Sequence, residues 1–171
     1  RYLSSAASDV YKRQGVTSSI STPGYSSQIF KGMGSFYLLD GDIDITGNAD
    51  VAMYARLGAI GGSRAETIQI MESMFELALN KDELESEELL GTTFASSMDM
   101  QLQDIQALSR VVNREIPLVL EVNRAIDILQ ALRLKNDYDL ELVLMSVEEA
   151  PLVLDQILAS GVSVIIDPMD N

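Results

Sequence analysis

The second half of the chain alternates between short apolar runs and amphipathic segments. The runs at residues 116–122 (IPLVLEV), 140–146 (LELVLMS) and 162–168 (VSVIIDP) are apolar on both faces, which predicts strands that are buried on both sides. Between them, residues 123–137 and 147–161 place apolar side chains at helical spacing. This β-α-β-α-β series predicts a parallel sheet that is covered by helices.

The first half of the chain is less regular. Residues 15–22 (GVTSSIST) and 34–42 (GSFYLLDGD) predict two short strands. A long helix is predicted from Ser63, which stands in capping-box register with Glu66. Residues 96–115 predict a further helix, which leads into the first of the apolar strands described above.

Two acidic stretches are explained by local structure. Glu148 and Glu149 fall at the start of a predicted helix, where negative charge is favourable because of the helix dipole. Residues 40–50 (DGDIDITGNAD) carry carboxylates at alternate positions, as a calcium loop does, but Ile45 and Val51 stand where that loop needs Gly and Glu. We interpret this second stretch as a solvated acidic turn.

The N-terminal stretch SSAASDVYKRQ, residues 4–14, has neither a helical nor an alternating apolar period. Back-translated, it resembles along its whole length a transposase adapter that is used to prepare sequencing libraries. We therefore expect residues 1–14 to be a translated scar outside the fold. On this expectation the native sequence begins at about Gly15, inside its gene, and residues 15–171 are expected to be an internal fragment of a longer protein.

Charge and composition exclude several kinds of partner. The net charge is −14, and without residues 1–14 it is −16, from nine basic and 25 acidic residues. Such an excess of negative charge argues against nucleic acid and against an anionic membrane surface. No apolar run reaches the roughly 20 residues of a spanning helix, which argues against membrane insertion. The chain has no Cys and no His, so neither thiolate nor imidazole can bind a metal or act as a base.

Polar residues cluster where the predicted strands end. Glu121 and Asn123 stand at the end of the first apolar strand, Ser146 at the end of the second and Asp167 at the end of the third. In parallel sheets, functional residues gather at these carboxyl ends. Side-chain alternation puts Glu121 on the same face as Val119, so its carboxylate must be paired, protonated or bound to a cation.

The residues alone leave alternatives open for these candidates. Glu121 is either a functional carboxylate or half of a structural salt bridge, to Arg124 or to a neighbouring helix. The stretch GGSRAE, which contains Arg64, either presents a helix N-terminus to an anion or is an ordinary capped helix, and ordinary caps are more common. Asp167, which precedes a proline, is more typical of a turn than of a site.

Three segments together resemble the metal-dependent amidohydrolases, and the imidazolonepropionase-like branch is the most similar. They are residues 15–24 (GVTSSISTPG), residues 61–66 (GGSRAE) and residues 116–168, and they cover most of residues 15–171 in order and spacing. The resemblance implies an α/β fold, a parallel (β/α) barrel of the TIM type, of which this chain would hold only the middle strands. It also implies a divalent metal, Zn or Mn, and a small amide or peptide-like substrate.

The same resemblance assigns residues to a site. The family typically places His where this chain has Glu121 and Asn123, and again where it has Ser146. A carboxylate can bind Zn²⁺ or Mn²⁺, so Glu121 is a candidate metal ligand and, with Ser146, a candidate catalytic residue. Asn123, Arg124 and Arg64 are candidates for substrate binding.

Two functions are compatible with these features, and a third, weaker interpretation is an unrelated parallel α/β domain that resembles the family only through the shared βα periodicity. The first is a metal-dependent hydrolase that attacks C–N bonds of cyclic amides or peptides with a metal-activated water, in which case this chain alone is expected to be inactive. The second is a barrel that has lost its metal site and acts as a binding or structural subunit, as a homo-oligomer or paired with another subunit. The absence of His at both strand ends favours the second.

Overall fold

The structure, a computed structural model, describes residues 13–24, 28–39, 47–58, 63–81 and 102–166. Six strands form one sheet in chain order: β1 (Ser18–Ser21), β2 (Phe30–Leu38), β3 (Gly47–Arg56), β4 (Leu118–Val122), β5 (Leu142–Ser146) and β6 (Ser163–Ile165). The α-helices are α1 (Arg64–Leu79), α2 (Leu102–Val112), α3 (Ala125–Asp137) and α4 (Leu154–Ser160), the last preceded by a 3-10 helix at Ala150–Val153. None of these described helices is long and apolar enough to cross a membrane.

The sheet curls into a half-barrel in which the pairing changes once, at β3, from antiparallel to parallel. Strands β3 to β6 are parallel, which confirms the prediction for the three strands after residue 116. Strands β1 to β3 are antiparallel, so the expected parallel arrangement applies only to the second half of the sheet. The connections at residues 22–29 and 39–46 explain this difference, because eight residues are too few for the crossover that parallel strands need.

The two faces of the sheet have separate cores. On the outer face, Leu118, Leu120 and Val122 of β4 pack against the helices. The α-helix residues of this cluster are Met71, Met74, Phe75, Ala78, Leu108, Val111, Val112, Ile128, Ala131, Leu132, Leu134 and Ile157. On the inner face, away from the helices, Val119 packs with Ala52 and Tyr54. Strand alternation therefore places every second side chain of β4 on this inner face.

The capping box predicted for α1 is present. The Ser63 hydroxyl accepts a hydrogen bond of 3.1 Å from the backbone N–H of Glu66, and the Glu66 carboxylate accepts one of 3.3 Å from the backbone N–H of Ser63. These bonds satisfy two donors that the first turn of a helix leaves without intrahelical partners. The start of α1 is therefore determined by the motif that the sequence contains.

Glu149 was predicted to stabilise the start of its own helix, but it stabilises the start of α3. The 3-10 helix around Pro151 delays the start of α4 to Leu154, so the acidic residues precede the α-helical turn. The Glu149 carboxylate instead accepts a hydrogen bond of 2.8 Å from the backbone N–H of Ala125, the first residue of α3. The charge therefore stabilises the N-terminus of α3 rather than that of its own helix.

Strand β3 was not predicted from the sequence. It begins at Gly47, inside the stretch that we interpreted as an acidic turn, while residues 40–46 of that stretch lie outside the described residues. Ala52, Met53, Tyr54 and Ala55 are all buried in β3, which joins the antiparallel and parallel halves of the sheet. Residues 1–12 of the predicted scar, which spans residues 1–14, and the candidate Asp167 also lie outside the described residues.

Candidate functional site

Glu121 lies between two cations on the inner face of the sheet. One carboxylate oxygen accepts a hydrogen bond from the Lys31 ammonium, and the other is 3.5 Å from Nε of Arg56. The side chains of Lys31 and Glu121 are only 14% and 21% exposed, whereas that of Arg56 is 42% exposed. We call these three residues the inner-face cluster. It carries a net charge of +1, because two cations share one carboxylate.

The strand register brings Arg56 and Glu121 together. Arg56, the last residue of β3, is paired with Glu121, and Glu121 is paired with Met145 on the next parallel strand. The cluster therefore lies at the carboxyl ends of the strands, the edge where the sequence predicted function. Glu121 makes its ion pairs within the sheet, rather than with Arg124 or with a helix.

Lys31 reaches the cluster through a β-bulge. Phe30 pairs with Ala55 and Gly32 with Tyr54, so β2 has one extra residue, Lys31, at this point. Gly32 has φ of +124°, a conformation that residues with a side chain rarely adopt. The bulge therefore depends on this glycine, and it brings the ammonium to Glu121.

Backbone and side-chain hydrogen bonds hold the loop after β4 against the loop after β5. The N–H of Val147 donates to the carbonyl of Val122 at 2.9 Å, and the N–H of Glu149 donates to the carbonyl of Asn123 at 2.8 Å. The side-chain oxygen Oδ1 of Asn123 is buried without a hydrogen-bond partner, the one such side-chain atom in the described part of the chain. A buried acceptor of this kind is expected to receive a donor, such as an N–H group of a ligand.

Ser146 lies at the end of β5, next to this loop. Ser146 and Val147 both have positive φ, +75° and +48°, which is uncommon for residues other than glycine. Two consecutive residues in this conformation turn the chain sharply where the strand ends. Backbone strain of this type is common at functional sites, which supports Ser146 as a candidate site residue.

The two arginines predicted to bind substrate lie outside the inner-face cluster. Arg64, the first residue of α1, donates from Nε to the carboxylate of Asp127 on α3 at 3.0 Å. Asp127 is 3% exposed, so Arg64 has a structural partner between two helices. Arg124 precedes α3 and is exposed, with no side-chain capping bond to that helix. The structure thus places Glu121 on the inner face and Asn123 directly after the same strand, but neither arginine joins Glu121.

Tyr54 lies on the inner face of the sheet, two residues before Arg56 on β3. It is 4% exposed, and burial raises the pKa of its phenol above the ordinary tyrosine value. A Cβ atom at Gly34 would lie 2.5 Å from Cε2 of Tyr54, so the glycine leaves room for the ring against β2. Substituting Gly34 would force this ring to move.

Tyr54 is expected to make the protein less stable at alkaline pH. An unfolded tyrosine loses its proton near about pH 10, whereas the raised pKa keeps the folded Tyr54 protonated. Its contribution is therefore complete below about pH 10 and is lost as the pH rises through the folded pKa. Denaturant unfolding between about pH 9 and about pH 11 should show a smaller loss of stability in Tyr54→Phe than in the wild type. Equal losses in the two proteins would contradict this role.

The inner-face cluster does not fit a divalent metal. Both oxygens of Glu121 contact a cation, so a metal at this carboxylate would be repelled by Lys31 and Arg56. Across the described ranges, no three His, Cys, Asp or Glu side chains come together as metal ligands. Glu121 therefore does not have the surroundings of the metal ligand that the family resemblance implies.

The two cations of the cluster were not predicted from the sequence. Lys31 is a single basic residue in a glycine-containing segment, and Arg56 ends a strand that was not predicted. A longer apolar run, VAMYA at residues 51–55, is the signal that could have revealed β3 and with it the position of Arg56. No local pattern indicates that Lys31 meets Glu121, since 90 positions separate them.

Comparison with known proteins gives one structural relative. No family model and no curated protein matches the chain. A crystal structure of an amidohydrolase from Thermotoga maritima MSB8 is similar, with a TM-score of 0.70 and 20% sequence identity. The match covers 90% of this chain and 43% of that one, so the chain spans less than half the length of its structural neighbour. The likeness shows a shared fold and agrees with the amidohydrolase resemblance at that level.

Proposed function

We propose that this chain forms part of the ligand-binding chamber of a hydrolase of the amidohydrolase type. The substrate would be a small cyclic amide or peptide-like molecule that is cleaved at a C–N bond. The observation that carries the proposal is the position of the inner-face cluster and Asn123. The cluster lies at the carboxyl ends of parallel strands, on the face away from the helices, and Asn123 directly follows β4, in a fold that resembles an amidohydrolase.

The chain is, on this proposal, the middle part of a longer barrel. Its structural neighbour contains more than twice as many residues, and the open half-barrel would leave room for further strands. The remaining strands would close the chamber and bring the other reacting groups. We refer below to the product of the complete gene as the full-length protein.

The residues of this chain have the chemistry to bind an amide. Lys31 and Arg56 offer N–H donors to a carbonyl or carboxylate oxygen. The unpartnered Oδ1 of Asn123 would accept the N–H of the same amide. Ser146, at the next strand end, would contact a polar group of the substrate or a water. A hydrolase of this family uses a metal-activated water, but Glu121 does not fit a metal, so we assign it the task of holding Lys31 and Arg56 in place.

One observation favours a second candidate, a barrel that binds a ligand without hydrolysing it. The carboxylate at the position where the family has a metal ligand is neutralised by two cations. A protein of this kind would keep the chamber and act as a binding subunit, alone or with a related partner. Both candidates use the same residues to contact the ligand, so they differ only in whether the C–N bond breaks.

The test is hydrolysis by the full-length protein of a panel of cyclic amides, lactams and dipeptides, followed by mass spectrometry. We expect turnover of at least one class, and we expect Asn123→Leu to lower kcat/KM by about tenfold because the acceptor for the amide N–H is lost. Asn136→Leu is the matched control, since Asn136 is an exposed residue of α3. Binding of a panel member without any turnover would favour the second candidate, and the absence of both would contradict the proposal.

A further inference from the structure

We propose that the Lys31 ammonium is a built-in cation that takes the place of a divalent metal beside Glu121. The inference deepens the proposed function. It rests on that proposal in one respect, that this region is the ligand-binding chamber. The positive charge of the chamber would then come from the protein itself and not from a metal ion. The chamber would then bind a ligand through an anionic or carbonyl oxygen without any metal at this carboxylate.

First, the Glu121 carboxylate lies between two cations. Each carboxylate oxygen is occupied by a different cation, Lys31 on one and Arg56 on the other. Lys31 and Glu121 are 14% and 21% exposed, so solvent screens their attraction only partly. A carboxylate that is buried to this degree needs a counter-ion, and the ammonium already supplies it.

Second, Lys31 lies in a β-bulge of β2. Phe30 and Gly32 pair with consecutive residues of β3, Ala55 and Tyr54, so Lys31 is an extra residue that has no partner of its own in the register. Phe30 and Met33 on either side still pack against the outer cluster. The bulge therefore places a cation on the inner face while the rest of β2 keeps its packing.

Third, the Lys31 ammonium keeps N–H donors that a ligand can use. An ammonium group has three N–H donors, and Glu121 uses one of them. Arg56, whose side chain is 42% exposed, has guanidinium donors besides Nε. With a net charge of +1, the cluster favours an oxygen that carries negative charge, as the carbonyl of an amide does when it is attacked.

The inference is tested by metal titration of the 171-residue chain with MnCl₂ alone, followed by calorimetry and by the thermal unfolding midpoint. Wild type should show no Mn²⁺ binding that depends on Glu121. Lys31→Glu puts a second carboxylate where the ammonium was, so it should bind Mn²⁺ about tenfold or more tightly than wild type, because added carboxylates raise cation affinity. Lys31→Met is the matched control: it removes the charge but adds no ligand, so it should gain much less Mn²⁺ affinity than Lys31→Glu.

Adding Glu121→Gln to Lys31→Glu should abolish the gained Mn²⁺ affinity. Wild-type binding of Mn²⁺ that Glu121→Gln removes would overturn the inference, and so would a Lys31→Glu variant that gains nothing. If Lys31→Glu does not fold, the cycle of Lys31→Met, Glu121→Gln and the double variant decides, since additive effects on unfolding would show that no pair exists. None of these measurements involves hydrolysis, so a failed activity assay would contradict the proposed function alone.

Discussion

Replacing Phe75 with alanine is expected to lower the free energy of unfolding by about 3–5 kcal/mol. Phe75 is completely buried in α1, where its ring meets Phe30 of β2 edge-on at 5.9 Å and Tyr138 at 5.2 Å between centroids. The side chain thus joins α1 to the sheet and to the end of α3. Its removal would leave a cavity that three separate elements would have to fill, and close-packed interiors relax only partly.

Equilibrium unfolding in urea measures this effect, and Leu79→Ala provides a control on the same helix. Leu79 is 50% exposed, so its truncation is expected to change stability by less than about 1 kcal/mol. Phe75→Leu should fall between the two, because it keeps most of the apolar volume. A Phe75→Ala variant that unfolds at the same urea concentration as Leu79→Ala would show that the outer core is not organised around this ring.

The parallel half of the fold was predictable because its sequence repeats one physical pattern. Strands β4 and β5 are apolar on both faces, and α3 lies between them with one apolar stripe. Helices bury the outer face of these strands, and neighbouring strands pack beside Val119 on the inner face, so the order and direction of these elements followed from periodicity. The exact bounds did not, since β4 begins at Leu118, two residues after the predicted start.

The antiparallel half was less predictable because its signals are weaker. Most of β1 is exposed, and β2 has two register irregularities that interrupt its alternation. In β3, only the second half is buried, which hides the strand behind its polar start. Strand pairing here depends on contacts between distant residues, and local patterns carry little information about them.

The candidate site was predictable in part for the same reasons. The face of Glu121 followed from strand alternation, and its place at a carboxyl end followed from the βα pattern. Its partners did not, because Lys31 arrives through a bulge and Arg56 through the strand that was missed. The carboxylate was therefore located correctly, while the choice between a metal and an ion pair required the three-dimensional contacts.

Replacing Arg64 with methionine is expected to lower the free energy of unfolding by about 1–3 kcal/mol. The substitution removes the donor to Asp127 and leaves a carboxylate whose side chain is only 5% exposed without its cation. The loss should lie below that of a fully buried pair, because the Arg64 side chain is 40% exposed and water can reach this end of the interaction. Asp127→Asn should cost less, since the arginine can then turn to solvent.

Arg114→Met is the matched control for this change. Arg114 makes an ion pair of similar length with Asp139, 2.9 Å, but both side chains are more than half exposed, so we expect a change within about 0.5 kcal/mol. In the full-length protein the same Arg64→Met variant separates structure from substrate binding. If Arg64 supports the fold, thermal stability falls and the KM of the folded protein is unchanged. If it contacts substrate, KM rises without a loss of stability, and the assignment of Arg64 to the helix interface fails.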